Sequence, residues 1–172
     1  KAQAQANTTV TDLFDAMSTA GPMLDSVGWS FKDLAVVTDV FGDAGISGSE
    51  GATALKTGLA RLASPAKEGA TAMADLGLSF FDANGKMDEM QTMQKKLHDS
   101  FATLSDQEKM SAASAIFGKN QMGKWLTLIE QSPDTFAEYS KGLEESSGAA
   151  TDMANALLSG PGGAVEKLKS SF

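Results

Sequence analysis

The chain has no cysteine, one histidine and only four prolines in 172 residues. Without cysteine there is no disulfide framework and no thiolate nucleophile, a usage that fits a cytoplasmic origin. A single imidazole, His98, builds neither a zinc site nor a Ser-His-Asp triad by itself, and on the polar flank of a predicted helix it reads as a solvated side chain. Cations are scarce: 14 Lys and Arg stand against 22 Asp and Glu, for a net charge of −8. That balance argues against direct binding to the DNA backbone, which needs clustered Lys and Arg. No apolar run approaches the length of a membrane span, and no signal peptide is visible. Membrane contact is therefore expected only through parts of a parent chain outside this segment.

Catalytic and ligand motifs fail on spacing. Asp82-Ala83-Asn84-Gly85-Lys86 begins like a calcium loop, but that pattern wants glycine sixth and an oxygen ligand fifth, where this chain has Lys86. Gly118-Lys119 and Gly123-Lys124 lack the Ser or Thr that completes a phosphate loop, and Gly45-Ile46-Ser47-Gly48 fails the nucleophile elbow. The adjacent pairs Asp88-Glu89 and Glu144-Glu145 point apart on a helix, although carboxylates distant in sequence remain open as a glycosidase pair. The expectation is no catalytic residue, no metal site and no cofactor.

What is present is helix punctuation. Hydrophobic residues make up 42% of the chain, much of it alanine, which favours closely packed helices over a core of large side chains. Ser47 with Glu50, and Ser105 with Glu108, read as capping boxes, and Ser30 with Asp33 caps a helix in the same way. Ser64-Pro65 and Ser132-Pro133 read as restarts, with serine as the cap and proline at the first helical position. Gly77 suits a left-handed helix stop, and Phe117-Gly118, like Phe41-Gly42, places an aromatic before a glycine stop. Gly21-Pro22 is expected to interrupt the first helix, which opens near Thr9 or Thr11 and carries Leu13, Phe14 and Met17 toward a core. Gly42, Gly45, Gly48 and Gly51 read as a loop with one glycine just inside the next helix.

After Leu78-Ser79-Phe80-Phe81, the pair Asn84-Gly85 favours a type I′ reversal, so one small β-hairpin is expected over residues 79–88. Met90, Met93, Leu97, Phe101 and Leu104 then form an amphipathic stripe opposite Gln94, Lys95 and Asp99. The nine methionines read as adaptable core filler. The predicted fold class is all-α: a bundle of short helices with one small β-hairpin. Residues 1–158 form the helical domain, either as one unit or as two lobes, 1–88 and 89–158. Residues 159–163 (Ser-Gly-Pro-Gly-Gly) make a flexible hinge, and residues 164–172 start a further helix. A chain that opens and closes on helical spacing looks excised from a longer polypeptide.

The order of these signals is familiar as well. Ala44-Gly45-Ile46, Ser49-Glu50, Leu59 to Leu62, Pro65, Lys67-Glu68, Leu76-Gly77-Leu78, Phe81-Asp82, Asn84-Gly85-Lys86-Met87, Leu104-Ser105, Glu108 and Ile116-Phe117-Gly118 together resemble the shared domain of phage tail tape measure proteins. The matching residues are folding signals, so Ser47, Glu50, Pro65, Gly77, Asn84, Gly85, Ser105, Glu108, Phe117 and Gly118 form a structural signature and no described site. The resemblance implies a non-enzymatic segment acting in tail assembly and length determination. It would lie in the virion tail lumen, after assembly in the host cytoplasm. Expected partners are copies of itself, tail tube subunits and tail assembly chaperones. The alternatives are a generic helical adaptor, or the non-catalytic part of a tail-associated cell-wall hydrolase.

Overall fold

Local capping chemistry sets where five of the eight described helices begin, α4, α5 and α7 starting without a side-chain cap. In the computed structural model, which describes residues 9–145 and side chains as far as 142, Thr9 starts α1 (Val10–Val27) through a reciprocal box with Asp12. Ser30 and Asp33 do the same for α2 (Phe31–Asp43). The other helices are α3 (Gly48–Ala63), α4 (Lys67–Asp75), α5 (Met90–Phe101), α6 (Asp106–Phe117), α7 (Met122–Glu130) and α8 (Pro133–Glu145). All eight described helices are α-helices, as the periodicity requires. The predicted hinge 159–163 and helix 164–172 lie outside the described residues.

Pro22 does not break α1, which runs through it. A proline inside a helix clashes partly with the residue before it, and here that residue is Gly21, which has no Cβ to clash. Pro22 and Ser18 are both exposed, so the carbonyl freed one turn back is on the solvent side. The helix ends at Gly28, whose φ of 75° provides the left-handed cap. The buried face of α1 is Ala16, Ala20, Gly21 and Leu24, while Leu13, Phe14 and Met17 are only half-buried.

The glycine series is likewise less of a loop than its spacing suggests. Gly42 lies inside α2, Gly48 opens α3 and Gly51 lies within it; only Gly45, with φ of 78°, belongs to the connection. The two helical glycines let α3 approach its neighbours closely. A Cβ on Gly48 would stand 2.1 Å from the Asp12 carbonyl oxygen of α1, and one on Gly51 would stand 2.5 Å from the Phe41 ring of α2. Small residues at this crossing make α1 and α3 the most intimate helix pair. Because α2 continues past Gly42 to Asp43, Phe41-Gly42 is not a helix stop of the Phe117-Gly118 kind.

No β-hairpin forms over residues 79–88. There is one isolated antiparallel bridge, Phe81 to Met87, and no strand among the described residues. Asp82 explains the difference: its Oδ1 accepts from the N–H groups of Asn84 and Lys86, both at 2.9 Å, and curls the chain into a capped loop. Asp82 N–H bonds Lys86 O and Asp88 N–H bonds Phe80 O, after which Asp88 O is taken by Trp29 Nε1 and Glu89 already caps α5. The turn is not type I′ either. Gly85 has φ of 78°, but Asn84 does not enter the left-handed region, which among the described residues only glycines occupy.

One continuous core runs from α1 to α8. α2 is buried on every side from Leu34 to Phe41, as its broad apolar pattern predicts. Met90, Met93, Leu97 and Phe101 of α5 are buried as the stripe requires. Met110 is the exception among the expected core methionines, at 52% exposure on α6. In α4 the buried residues are Gly69 and Met73, with Ala70 turned to solvent.

Candidate functional site

Eight of the ten signature residues sit at or beside helix ends, while Asn84 and Gly85 lie in the loop between α4 and α5, and they do not converge on one place. Ser105 and Glu108 complete a reciprocal box at the start of α6. At α3 only half of the expected box forms: Ser47 Oγ accepts from Glu50 N–H, but the Glu50 carboxylate does not return. The orphan N–H beside it, on Gly48, is taken instead by Asp12 Oδ1 of α1 at 3.0 Å. Thr9 and Gly48 together donate to the Asp12 carboxylate and hold its pKa below the ordinary value of 3.8, the Thr9 hydroxyl contributing most.

Ser64-Pro65 ends one helix more than it starts the next. Ser64 is the C-cap of α3, held out of the helical region before the proline at φ −138° and ψ 76°, and α4 begins two residues after Pro65 with Ala66 as an unassisted cap. Ser132-Pro133 follows the expected pattern: α8 starts at Pro133, and Ser132 Oγ accepts from Thr135 N–H at 3.1 Å. Gly77, with φ of 66°, follows α4 as a left-handed cap, and Leu78 N–H returns to Met73 O at 2.8 Å.

Phe117 and Gly118 belong to an interlock that joins α3, α6 and α7. The Phe117 ring stacks on the indole of Trp125 at a centroid distance of 4.1 Å and an interplanar angle of 2°. Trp125, fully buried on α7, donates Nε1–H to the Ala54 carbonyl of α3 at 2.8 Å. Its ring fills the space over Gly58, where a Cβ would meet ring carbon at 2.1 Å. Arg61 of α3 reaches the C-terminal end of α6, donating Nε–H to Ile116 O at 2.9 Å and lying against Gly118. A cation at that end complements the helix dipole and satisfies an orphan carbonyl.

The end of α7 is capped the same way, by two side chains read in the sequence as solvent-facing. Gln94 of α5 is 2% exposed and gives Nε2–H bonds to Leu128 O at 3.1 Å and Gln131 O at 2.7 Å. One helical turn on, His98 is half-buried with Nδ1 2.9 Å from Ile129 O. A carbonyl only accepts, so the proton of that contact is on Nδ1. The correction has a physical cause: the partners lie 31 to 37 residues away, beyond the reach of any local periodicity.

The surface offers several clefts. An open cleft of about 610 Å³ lies between α4 and α6, floored by Ala72, Leu76, Leu104 and Ala112. Thr71 at its edge turns its hydroxyl to Lys67 O of its own helix. Among the described residues no group of three His, Cys, Asp or Glu is arranged to hold a metal ion, and no helix is long and apolar enough to cross a membrane. Asp82, the start of the calcium-like pattern, spends Oδ1 on two backbone N–H groups.

Residues 1–118 match the family described as phage-related minor tail protein. The chain belongs to that family. It is also 30% identical over its whole length to a tape measure protein of Pneumococcus phage Dp-1, and 24% identical over 92% of its length to a probable tape measure protein of Escherichia phage P2. It spans 15% of the first relative and 20% of the second. No solved structure matches it. Membership of this family places the segment among phage tail proteins. The matched stretch ends at Gly118, whereas the packing does not: Trp125, which seals α3, and the helix ends held by Gln94 and His98 lie in or reach into α7.

Proposed function

We propose that this segment is a folded assembly module of a phage tail measure protein, acting in tail assembly and length determination through protein–protein contacts. Its partners on this reading are copies of itself, tail tube subunits and tail assembly chaperones. Its place is the lumen of the virion tail, reached after assembly in the host cytoplasm. It works without catalysis, cofactor or direct contact with DNA.

The observation that carries the reading is the interlock of Trp125 with Gly58. A ruler that measures by contour would run as an extended helix, rising about 1.5 Å per residue. Here the eight described helices instead fold back on one another, and an indole from α7 is fitted over a glycine of α3 67 residues earlier. That packing supports a compact body, with the measuring rod elsewhere in the parent chain.

Crosslinking mass spectrometry on purified tails tests the partners. The exposed Lys56, Lys119 and Lys141 should link to tail tube subunits or to a second copy of the segment. Crosslinks confined to unrelated proteins outside the tail would refute the assignment.

A further inference from the structure

Gly69 brings α4 close onto α6, where a Cβ would stand 2.8 Å from the Ala115 carbonyl oxygen. The residues beside that approach are small, Ala72 on α4 and Ala112 and Ala115 on α6, and they do not fill the space between the helices. They leave the open cleft of about 610 Å³, with the half-buried Leu76 and Leu104 completing its apolar floor. The rim is acidic: Glu68, Asp75 and Glu108 stand against the single cation Lys67. Glu108 shares its carboxylate with the Ser105 cap. Glu68 and Asp75 are exposed, and neither carboxylate has a hydrogen-bond or ion-pair partner among the described residues. An apolar floor between carboxylates suits an amphipathic helix with lysines beside its apolar face.

The chain outside the described residues offers one stretch of that chemistry. Residues 164–172 (Ala-Val-Glu-Lys-Leu-Lys-Ser-Ser-Phe) carry Val165, Leu168 and Phe172 at helical spacing, with Lys167 and Lys169 between them. Residues 149–158 have Met153, Leu157 and Leu158, but their one charge is Asp152. Residues 1–8 have no apolar side chain larger than alanine. As a helix, residues 164–172 would be about 14 Å long, the length of α4, which also has 9 residues. From Glu145 at the end of α8, about 20 residues lead to Val165 and span at most roughly 65 Å. A body of about 140 residues has a radius of gyration of about 14 Å, so that reach covers any face of it.

We propose that residues 164–172 dock in the α4–α6 cleft of the same chain, with their apolar side chains on the alanine floor and their lysines on the carboxylate rim. The apolar contacts carry the docking, since exposed ion pairs contribute little, and the charges select the occupant. The chain thereby leaves the body beside α4 and α6 and not at α8. The proposal rests on the cleft and the sequence and is independent of the tail assignment.

Zero-length carbodiimide crosslinking of the 172-residue chain, with mass spectrometry of the monomer, tests it. Lys167 or Lys169 should link to Glu68, Asp75 or Glu108 in preference to carboxylates on other helices. Leu168→Asp lies outside α1 to α8, so the body should still melt cooperatively. It should cut these links at least about tenfold, the shift expected from losing one buried leucine. The proposal is overturned by an absence of links, by links spread over or concentrated on other helices, or by links that survive Leu168→Asp. It is equally overturned if Lys167 and Lys169 reach the cleft only between chains, which would make a second copy the occupant.

Discussion

The indole of Trp125 occupies the position that a β-carbon of Gly58 would need, with ring atoms within 2.1 to 2.3 Å of it. The pair therefore acts as a size lock between α3 and α7. Gly58→Ala should destabilise the chain by about 2 kcal/mol through overpacking, and Trp125→Ala by about 3–5 kcal/mol through the cavity it leaves. In the double variant Gly58→Ala/Trp125→Leu the smaller side chain makes room for the new methyl. Chemical denaturation should then show a loss smaller than the sum of those of Gly58→Ala and Trp125→Leu measured singly. Strict additivity would contradict the lock.

A chain ended at Gly118, where the family match stops, lacks Trp125 and the helix ends that Gln94 and His98 cap. It should lose its cooperative melt and expose the pocket over Gly58, seen as dye binding. A chain ended at residue 145 should melt cooperatively. A sharp transition in the shorter chain would show that α7 and α8 are accessory.

Asp12 links α1 to α3, and its folded-state pKa is lowered by the Thr9 and Gly48 donors. A depressed carboxylate stabilises the fold above its unfolded pKa, and that contribution disappears as pH falls through the folded value. Asp12→Asn should therefore lower the melting temperature at pH 7. The gap from the native chain should close in acid, below about 4. A gap that is constant with pH would contradict the charge-based account.

Of the two turn residues, only Gly85 has a positive φ. Gly85→Val should cost about 1 kcal/mol or more, while Asn84→Ala should be nearly neutral. Asp82→Ala should be the more damaging change on the other side of the turn, since it frees two N–H groups at once. Calcium should leave the melting temperature of the native chain unchanged; a clear rise on titration would restore the ion-loop reading of residues 82–86.

Local chemistry was legible and tertiary chemistry was not. The caps at Ser30, Ser105 and Ser132, and the stop at Gly77, need only neighbours within four residues, so the sequence displays them in full. Asn84-Gly85 misled because the decisive group is the Asp82 side chain, which outcompetes a strand ladder for the same N–H groups. Pro22 misled because the glycine before it removes half of the usual clash. Gln94 and His98 looked polar and therefore solvated, yet each has its partner on another helix. Gly58 carried no local signal at all, being an ordinary glycine in a helix until Trp125 is placed over it.

The central claim is that this segment is a compact assembly body and not part of the ruler. Tail length after an in-frame deletion of residues 47–158 in the parent gene tests it most directly. Loss of the body should block or cripple tail assembly, leaving few or no normal particles in electron micrographs. Well-formed, infectious particles with tails shortened by about 1.5 Å per deleted residue would show that the segment measures length by its own contour, and would contradict the account.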